Sequence, residues 1–242
     1  MAPALVVCGP GVALPEGGWR CLPVDLALWE TLPLCDWHQG PADRKAHVVF
    51  SSGTSGKPSA VRHAHRAILG RAMMHQEWEG LGPADRLLHS AAFSWTYTMG
   101  TGLMDPWTVG TNALILGAPT APADLPGLMA RQNVTILATA PGVLRQMLAA
   151  LPPEGWPALP ALSHAVVAGD VLPQAVQKGR RAATGRAAHV ALGMSGVSTY
   201  LSFSFARPAP PGTAGYVQSG RRIARLYVAT SCLDEPCLCA YA

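Results

Sequence analysis

The chain has little charge. Lys, Arg, Asp and Glu together make up 13% of its 242 residues, while 49% are hydrophobic. That balance excludes a disordered segment, because so much apolar side chain can offset the entropy lost on ordering. Long apolar runs are lacking as well. No stretch approaches the ~18 to 20 uninterrupted apolar residues of a membrane helix, so no membrane span is expected. The apolar start, Met1 to Leu14, carries no Lys or Arg and is interrupted by Pro and Gly. This argues against a secretory signal and leaves the cytoplasm as the expected compartment. The formal net charge is +4, yet the basic residues are scattered, apart from pairs such as Arg180-Arg181 and Arg221-Arg222. Without a basic stripe, no nucleic-acid partner is expected.

Cysteine supplies no framework either. The six cysteines fall at the two ends: Cys8, Cys21 and Cys35, then Cys232, Cys237 and Cys239. No paired CxxC is present, and the tail spacing C-x4-C-x-C has no His near it. No metal site is expected from them, and reduced thiols are.

What is present is alternation. From about residue 45, short apolar runs (His47 to Ser51, Arg86 to Ala92, Asn112 to Leu116, Val134 to Thr139, His164 to Ala168) alternate with helix-compatible segments. Those segments are His63 to Trp78, Leu125 to Gln132, Gly142 to Ala150 and Gln174 to Ala183. The pattern predicts an α/β fold around a largely parallel, buried sheet. Residues 1–40 are richer in Pro and Gly and less periodic, and are expected to form a separate, poorly defined segment. Pro208, Pro210 and Pro211 mark a turn or linker. Ser231 to Ala242 shows no clear period.

The most specific feature is the run from Val48 to Val61. An apolar strand enters a loop, Ser51-Ser52-Gly53-Thr54-Ser55-Gly56-Lys57-Pro58-Ser59. Gly53 and Gly56 let backbone N–H groups approach a ligand closely. The hydroxyls of Ser51, Ser52, Thr54 and Ser55 add donors, and Lys57 adds a positive charge. Such a loop suits phosphate oxygens. It is not a Walker A loop, because Pro58 follows Lys57 and no Gly lies five residues before Gly56. Composition alone leaves an ordinary polar turn as the alternative.

This loop resembles the signature of the adenylate-forming superfamily, which includes acyl-CoA synthetases, peptide-synthetase adenylation domains and luciferases. The resemblance implies a loop that wraps ATP phosphates. Val61 to Ile68 is similar to the helix that follows it, which makes His63 and His65 part of a helix start rather than metal ligands. Ala91 to Gly102 resembles the family's acid-pocket segment, with Trp95 and Tyr97 as wall residues; ordinary core packing is the alternative for both. Gly169 and Asp170 resemble the family's segment beside adenine. Leu192-Gly193-Met194-Ser195-Gly196 is similar to its aromatic-Gly-x-Thr-Glu motif. The resemblance thus implies Leu192 packing on the base, with Gly193, Met194 and Ser195 at the nucleotide and the Ser195 hydroxyl on phosphate. It also implies ATP or AMP, Mg2+ and CoA as partners of the reaction, with a carboxylic acid as substrate. The medium-chain and benzoate-type ligases are the closest subgroup.

Several features depart from the family. Gly196 stands where the family has its magnesium-binding Glu, so Mg2+ binding and the adenylation step are expected to be weakened. Ser59 stands where the family usually has Lys. The ribose-binding Asp is not recognisable after Gly220, nor are the hinge and the small C-terminal domain with its catalytic Lys. The resemblance covers Pro41 to about Leu226, a partial AMP-binding domain, and Tyr227 to Ala242 matches nothing in it. A truncated or frameshifted end, and an impaired or inactive ligase, are expected. A non-catalytic nucleotide- or acyl-binding remnant is the alternative. A serine hydrolase is disfavoured. Gly193 to Ser195 begins a nucleophile elbow, but Val197 stands where the second Gly belongs, and no Asp and His follow in order.

Overall fold

The computed structural model describes residues 5–9, 12, 17–18, 20–36, 38–51, 57–117, 120–209, 213–226 and 237–241. The chain divides into two compact units, Met1–Pro41 and Ala42–Ala242. In the first unit, β1 (Val6–Cys8) pairs in parallel with β2 (Cys21–Pro23). Helix α1 (Leu26–Glu30) follows, capped by Asp25, whose Oδ1 accepts the Leu28 N–H at 2.9 Å. Cys8, Cys21 and Cys35 form no disulfide.

The second unit opens with a hairpin, β3 (Lys45–Ser51) antiparallel to β4 (Ser59–Ala64). The sequence pattern led to a helix from His63, and the structure corrects this. His63 lies on β4 directly opposite His47, their rings stacked at 4.8 Å, and helical turns begin only at His65. Pairing with β3 overrides the local helical spacing, as cross-strand packing commonly does. The helical run itself changes pitch twice. A 3-10 stretch (His65–Arg71) passes through α2 (Ala72–Met74) into a π turn (His75–Glu79), which stops at left-handed Gly80.

The main sheet has seven strands in the order β11-β10-β9-β8-β7-β5-β6. Its members are β5 (Arg86–His89), β6 (Asn112–Leu114), β7 (Ile136–Thr139), β8 (His164–Val167), β9 (Ala188–Met194), β10 (Ser198–Ser202) and β11 (Tyr216–Val217). From β6 to β9 every pairing is parallel, and β10 and β11 add an antiparallel edge. This is the mostly parallel α/β sheet that the alternation predicts. The strands Ala188–Met194 and Ser198–Ser202 were not legible as strands, because Gly193 interrupts the first near its end and Ser198, Thr199 and Ser202 make the second largely polar. The unperiodic tail also contains a strand: β13 (Cys237–Tyr241) pairs with β12 (Arg222–Leu226).

Period-2 side-chain alternation sorts the central strands into two cores. On β7, Leu137 faces one core while Ile136 and Ala138 face the other. On β8, Ala165 and Val167 face the first core and Val166 the second. Helices α5 (Leu125–Arg131), α6 (Pro141–Ala150) and α7 (Gln174–Thr184) cover the first core through Leu125, Met129, Leu144, Met147 and Val176. Met74, Trp78 and Tyr97 fill the second. Tyr97 belongs to α3 (Thr96–Met99), which continues through a π turn (Gly100–Met104) into α4 (Asp105–Val109). With both faces covered, β7 and β8 read as unbroken apolar runs, which is why they were legible. Among the described residues no helix is long and apolar enough to cross a membrane.

Candidate active site

The carboxyl ends of the parallel strands converge on one cavity of about 620 Å3, large enough for a nucleotide-sized ligand. In an open α/β sheet this is where ligands bind, because the loops leaving adjacent strands part there. After β5 the chain supplies Trp95 and Tyr97, after β8 Ala168 and Gly169, and the end of β9 with its turn into β10 supplies Gly193 to Gly196 and Ser198. Ser51, at the end of β3, closes one side.

Tyr97 serves the core and the cavity together. Its hydroxyl donates to the Val166 carbonyl at 2.8 Å, and its ring meets the Trp95 ring edge-on at 5.2 Å. The pocket and core readings of Tyr97 are therefore compatible. The Trp95 indole lies over Gly169, where φ is +99° and an added Cβ would overlap the ring. Gly169 thus meets two demands, a left-handed backbone and close approach of an aromatic wall.

The hairpin between β9 and β10 carries the Gly193-Met194-Ser195-Gly196 segment. Ser198 opposes Met194 across it, and the Val197 N–H donates to the Met194 carbonyl at 3.2 Å. Ser198 holds a positive φ of 60°, uncommon outside glycine. Its hydroxyl accepts from Arg71 Nη1 and donates to Met74 Sδ at 3.7 Å. Those bonds hold the backbone in a conformation that costs on the order of 1 kcal/mol or more.

Seven predicted residues line the cavity together: Ser51, Trp95, Tyr97, Gly169, Gly193, Met194 and Ser195. Gly196 lines it too, and a Cβ there would meet nothing within 4 Å. Lys57, Asp170 and Leu192 are exposed and are not among the lining residues. Asp170 accepts the Val171 N–H at 2.7 Å. Ser52, Gly53, Thr54, Ser55 and Gly56 lie outside the described residues.

Sequence reading missed Arg71, Thr96, Thr101, Ser198 and Thr199, all of which line the cavity. Arg71 is the most consequential. It is buried, and its guanidinium pairs with Asp105 through both Nε and Nη2, the former at 2.8 Å. Nη2 also donates to Thr101 Oγ1 at 3.1 Å. The guanidinium lies against the backbone of Gly100, where a Cβ would collide with it. Burial alone would raise the Asp105 carboxyl pKa, but the Arg71 charge and hydrogen bonds hold it well below the usual carboxylate range. Beside the pair sits Glu79, whose carboxyl oxygens are buried without a hydrogen-bond partner. Burial, and then the Asp105 charge, push its pKa well above the ordinary carboxylate value. A single Arg in an apolar helix spacing carries no sequence signal of this network.

His75, Glu79 and Asp105 offer ligand atoms within 4.8 Å of one another. Arg71 occupies both oxygens of Asp105, so the group reads as a charge-balanced network rather than a cation site. The main cavity has no carboxylate among its described lining residues. Magnesium prefers carboxylate and phosphate oxygens, so this wall does not fit a chain-held Mg2+.

A family model described as AMP-binding enzyme matches residues 26–227. The chain belongs to that family. It is 32% identical over 133 residues to the 3-hydroxybenzoate--CoA/4-hydroxybenzoate--CoA ligase of Thauera aromatica, a match covering 54% of this chain and 25% of that protein. Among solved structures, it superposes with a TM-score of 0.77 on the anthranilate CoA ligase AuaEII in complex with anthranoyl-AMP. The match covers 86% of this chain and 41% of that one at 21% identity. An acyl-CoA synthetase from Brucella canis superposes with a TM-score of 0.79, covering 93% and 45% at 23% identity. The AMP-binding chain thus spans a quarter of that curated relative and under half of each solved neighbour, whose likeness shows the shared fold.

Proposed function

We propose that this chain is the nucleotide- and acid-binding part of an ATP-dependent acyl-CoA synthetase. In the full reaction the acid carboxylate attacks the α-phosphorus of ATP and pyrophosphate leaves. The CoA thiol then displaces AMP from the acyl-adenylate to give the thioester. The observation that supports this most is the convergence of Ser51, Trp95, Tyr97, Gly169 and Gly193 to Ser195 on one cavity. These residues come from four separate stretches of the family motif. In this reading the Ser195 hydroxyl, at the hairpin tip, holds a phosphate oxygen. Gly169 and Gly193 let the nucleotide approach the backbone, and Trp95 and Tyr97 wall the acid. In this reading residues 41–226 form the partial AMP-binding domain, and residues 1–40 fall outside it.

Catalysis is impaired in this reading. The wall supplies no carboxylate among its described residues, and Gly196 offers no side-chain ligand. Mg2+ would arrive on the triphosphate rather than be held by the chain, and would supply charge neutralisation of the leaving pyrophosphate. Gly196 is also what favours the second reading, a nucleotide- or acyl-binding protein without turnover.

The test is paired. Equilibrium binding of AMP, alone and with 4-hydroxybenzoate or a medium-chain acid, is expected to show AMP binding that either acid tightens. ATP–pyrophosphate exchange is expected to be far below that of a full-length ligase. Absence of AMP binding at millimolar concentration removes the proposal, and binding without any exchange favours the second reading.

A further inference from the structure

Arg71 is shared between two spaces. With Thr96, Gly196 and Ser198 it lines the main cavity, and the same four residues line a second chamber of about 360 Å3. Five basic side chains face that chamber: His47, His63, Arg66, Arg71 and Arg221. Among the described residues no Asp or Glu lines it. Asp105 balances Arg71, but among the described residues no carboxylate pairs with Arg66 or Arg221.

The donors there are incompletely used. Arg221 donates from Nη2 to the Gly70 carbonyl at 3.2 Å, while its Nε is buried without a partner. His47 Nδ1 and His63 Nε2 are likewise buried without partners, in rings stacked on each other. The crowding of positive charge acts on its own members. Burial, and then the charge of Arg71, lower the Arg221 pKa. Burial, and then the charges of His63, Arg71 and His65, lower that of His47. A buried donor without an acceptor, as at Arg221 Nε, is costly, and an entering anion would satisfy it. Guanidinium forks match carboxylate oxygens in particular.

We propose that this chamber holds an anionic group, and that the acid substrate carries a second carboxylate remote from the reacting one. The reacting carboxylate would lie in the main cavity and the distal one would pass Arg71 and Ser198 into the chamber. The substrate assignment rests on the adenylation reading, whereas anion binding in the chamber does not.

The test uses isothermal titration of the whole 242-residue chain at low salt with adipate, hexanoate, inorganic phosphate and AMP. Adipate is expected to bind about tenfold or more tighter than hexanoate, a difference of ~1.4 kcal/mol or more. Arg221→Met and Arg66→Gln should each move that ratio toward one and leave AMP affinity unchanged. Arg66 is exposed, so its variant reports even where Arg221→Met fails to fold by circular dichroism. Equal binding of adipate and hexanoate, or a preference that survives in every folded variant, overturns the proposal. Phosphate binding with no preference for the dicarboxylate overturns the substrate assignment, because it assigns the chamber to a free phosphate. A dicarboxylate preference in a chain that binds no AMP supports the anion chamber and removes the adenylation reading.

Discussion

Single residues set the character of the cavity wall. Gly196 is the clearest case, because its position is open on the side where a Cβ would point. A Gly196→Glu variant can be accommodated sterically and would add a carboxylate where the wall has none. It is expected to tighten Mg2+-dependent ATP binding about tenfold, ~1.4 kcal/mol, with little change in metal-free AMP binding. Titrations with Mg2+ and with EDTA separate the two, and equal gains in both would show that the carboxylate is not acting through the metal. Gly169 is the opposite case. Its φ of +99° and its contact with Trp95 leave no room for a side chain. Gly169→Ala is expected to cost about 1–3 kcal/mol and to shift Trp fluorescence as the Trp95 ring is displaced. An unchanged denaturation midpoint would contradict the packing described.

At the scale of elements, the helical run before β5 and the run after it are joined by charge. Arg71 ends the 3-10 stretch and Asp105 begins α4, so their pair fixes one run against the other on the same face of the sheet. The π turns at His75–Glu79 and Gly100–Met104 carry the buried His75, Glu79 and Thr101, and such turns recur near functional sites. Asp105→Asn would leave the Arg71 charge buried and uncompensated, at a cost of about 3–5 kcal/mol. Urea denaturation measures this directly. Asp105→Asn combined with Arg71→Met is expected to recover most of the loss, because removing both charges also removes their desolvation. Failure to recover would mean that the pair matters for more than charge balance.

The whole second unit should be acid-sensitive. His164 and His189 stack at 4.2 Å under the π turn, bonded to the Glu79 and Trp78 carbonyls at 2.6 and 2.8 Å. Burial lowers the His89 pKa to about 3. Burial, and then the charge of His164, lower that of His189 to about 4, and burial also lowers that of His164. Depressed values in the folded state mean that the unfolded chain binds more protons. The stability is therefore complete above about pH 6.5 and is lost as pH falls toward 4, at ~1.4 kcal/mol per pH unit for His89 and for His189. Glu79 works the other way. Its raised pKa gives stability that is complete below the ordinary carboxylate value and lost as pH rises above it. The falls of His89 to about 3 and His189 to about 4 span that window, so destabilisation is expected between pH 6.5 and 4, with Glu79 opposing it, read from urea midpoints across the range. Glu79→Gln removes the opposing contribution and should steepen the slope; an unchanged slope would place Glu79 as an ordinary carboxylate.

The sequence by itself determined the α/β class, the family and much of the wall. Buried parallel strands such as Ile136–Thr139 must be apolar on both faces, so they leave contiguous marks in the chain. Even so, Lys57, Asp170 and Leu192 belong to matching motifs and stand outside the cavity lining. Motif membership fixes a position along the backbone but not the direction of a side chain. Arg71, Thr101, Asp105 and Ser198 are spread over 127 positions and meet only after the sheet is wound. No local period records such a meeting. The five basic residues of the second chamber come from β3, β4, the 3-10 stretch and the segment before β12, and their shared field exists only in three dimensions. Position is shared in space and not along the chain, so basic residues scattered in the sequence can still meet around one chamber.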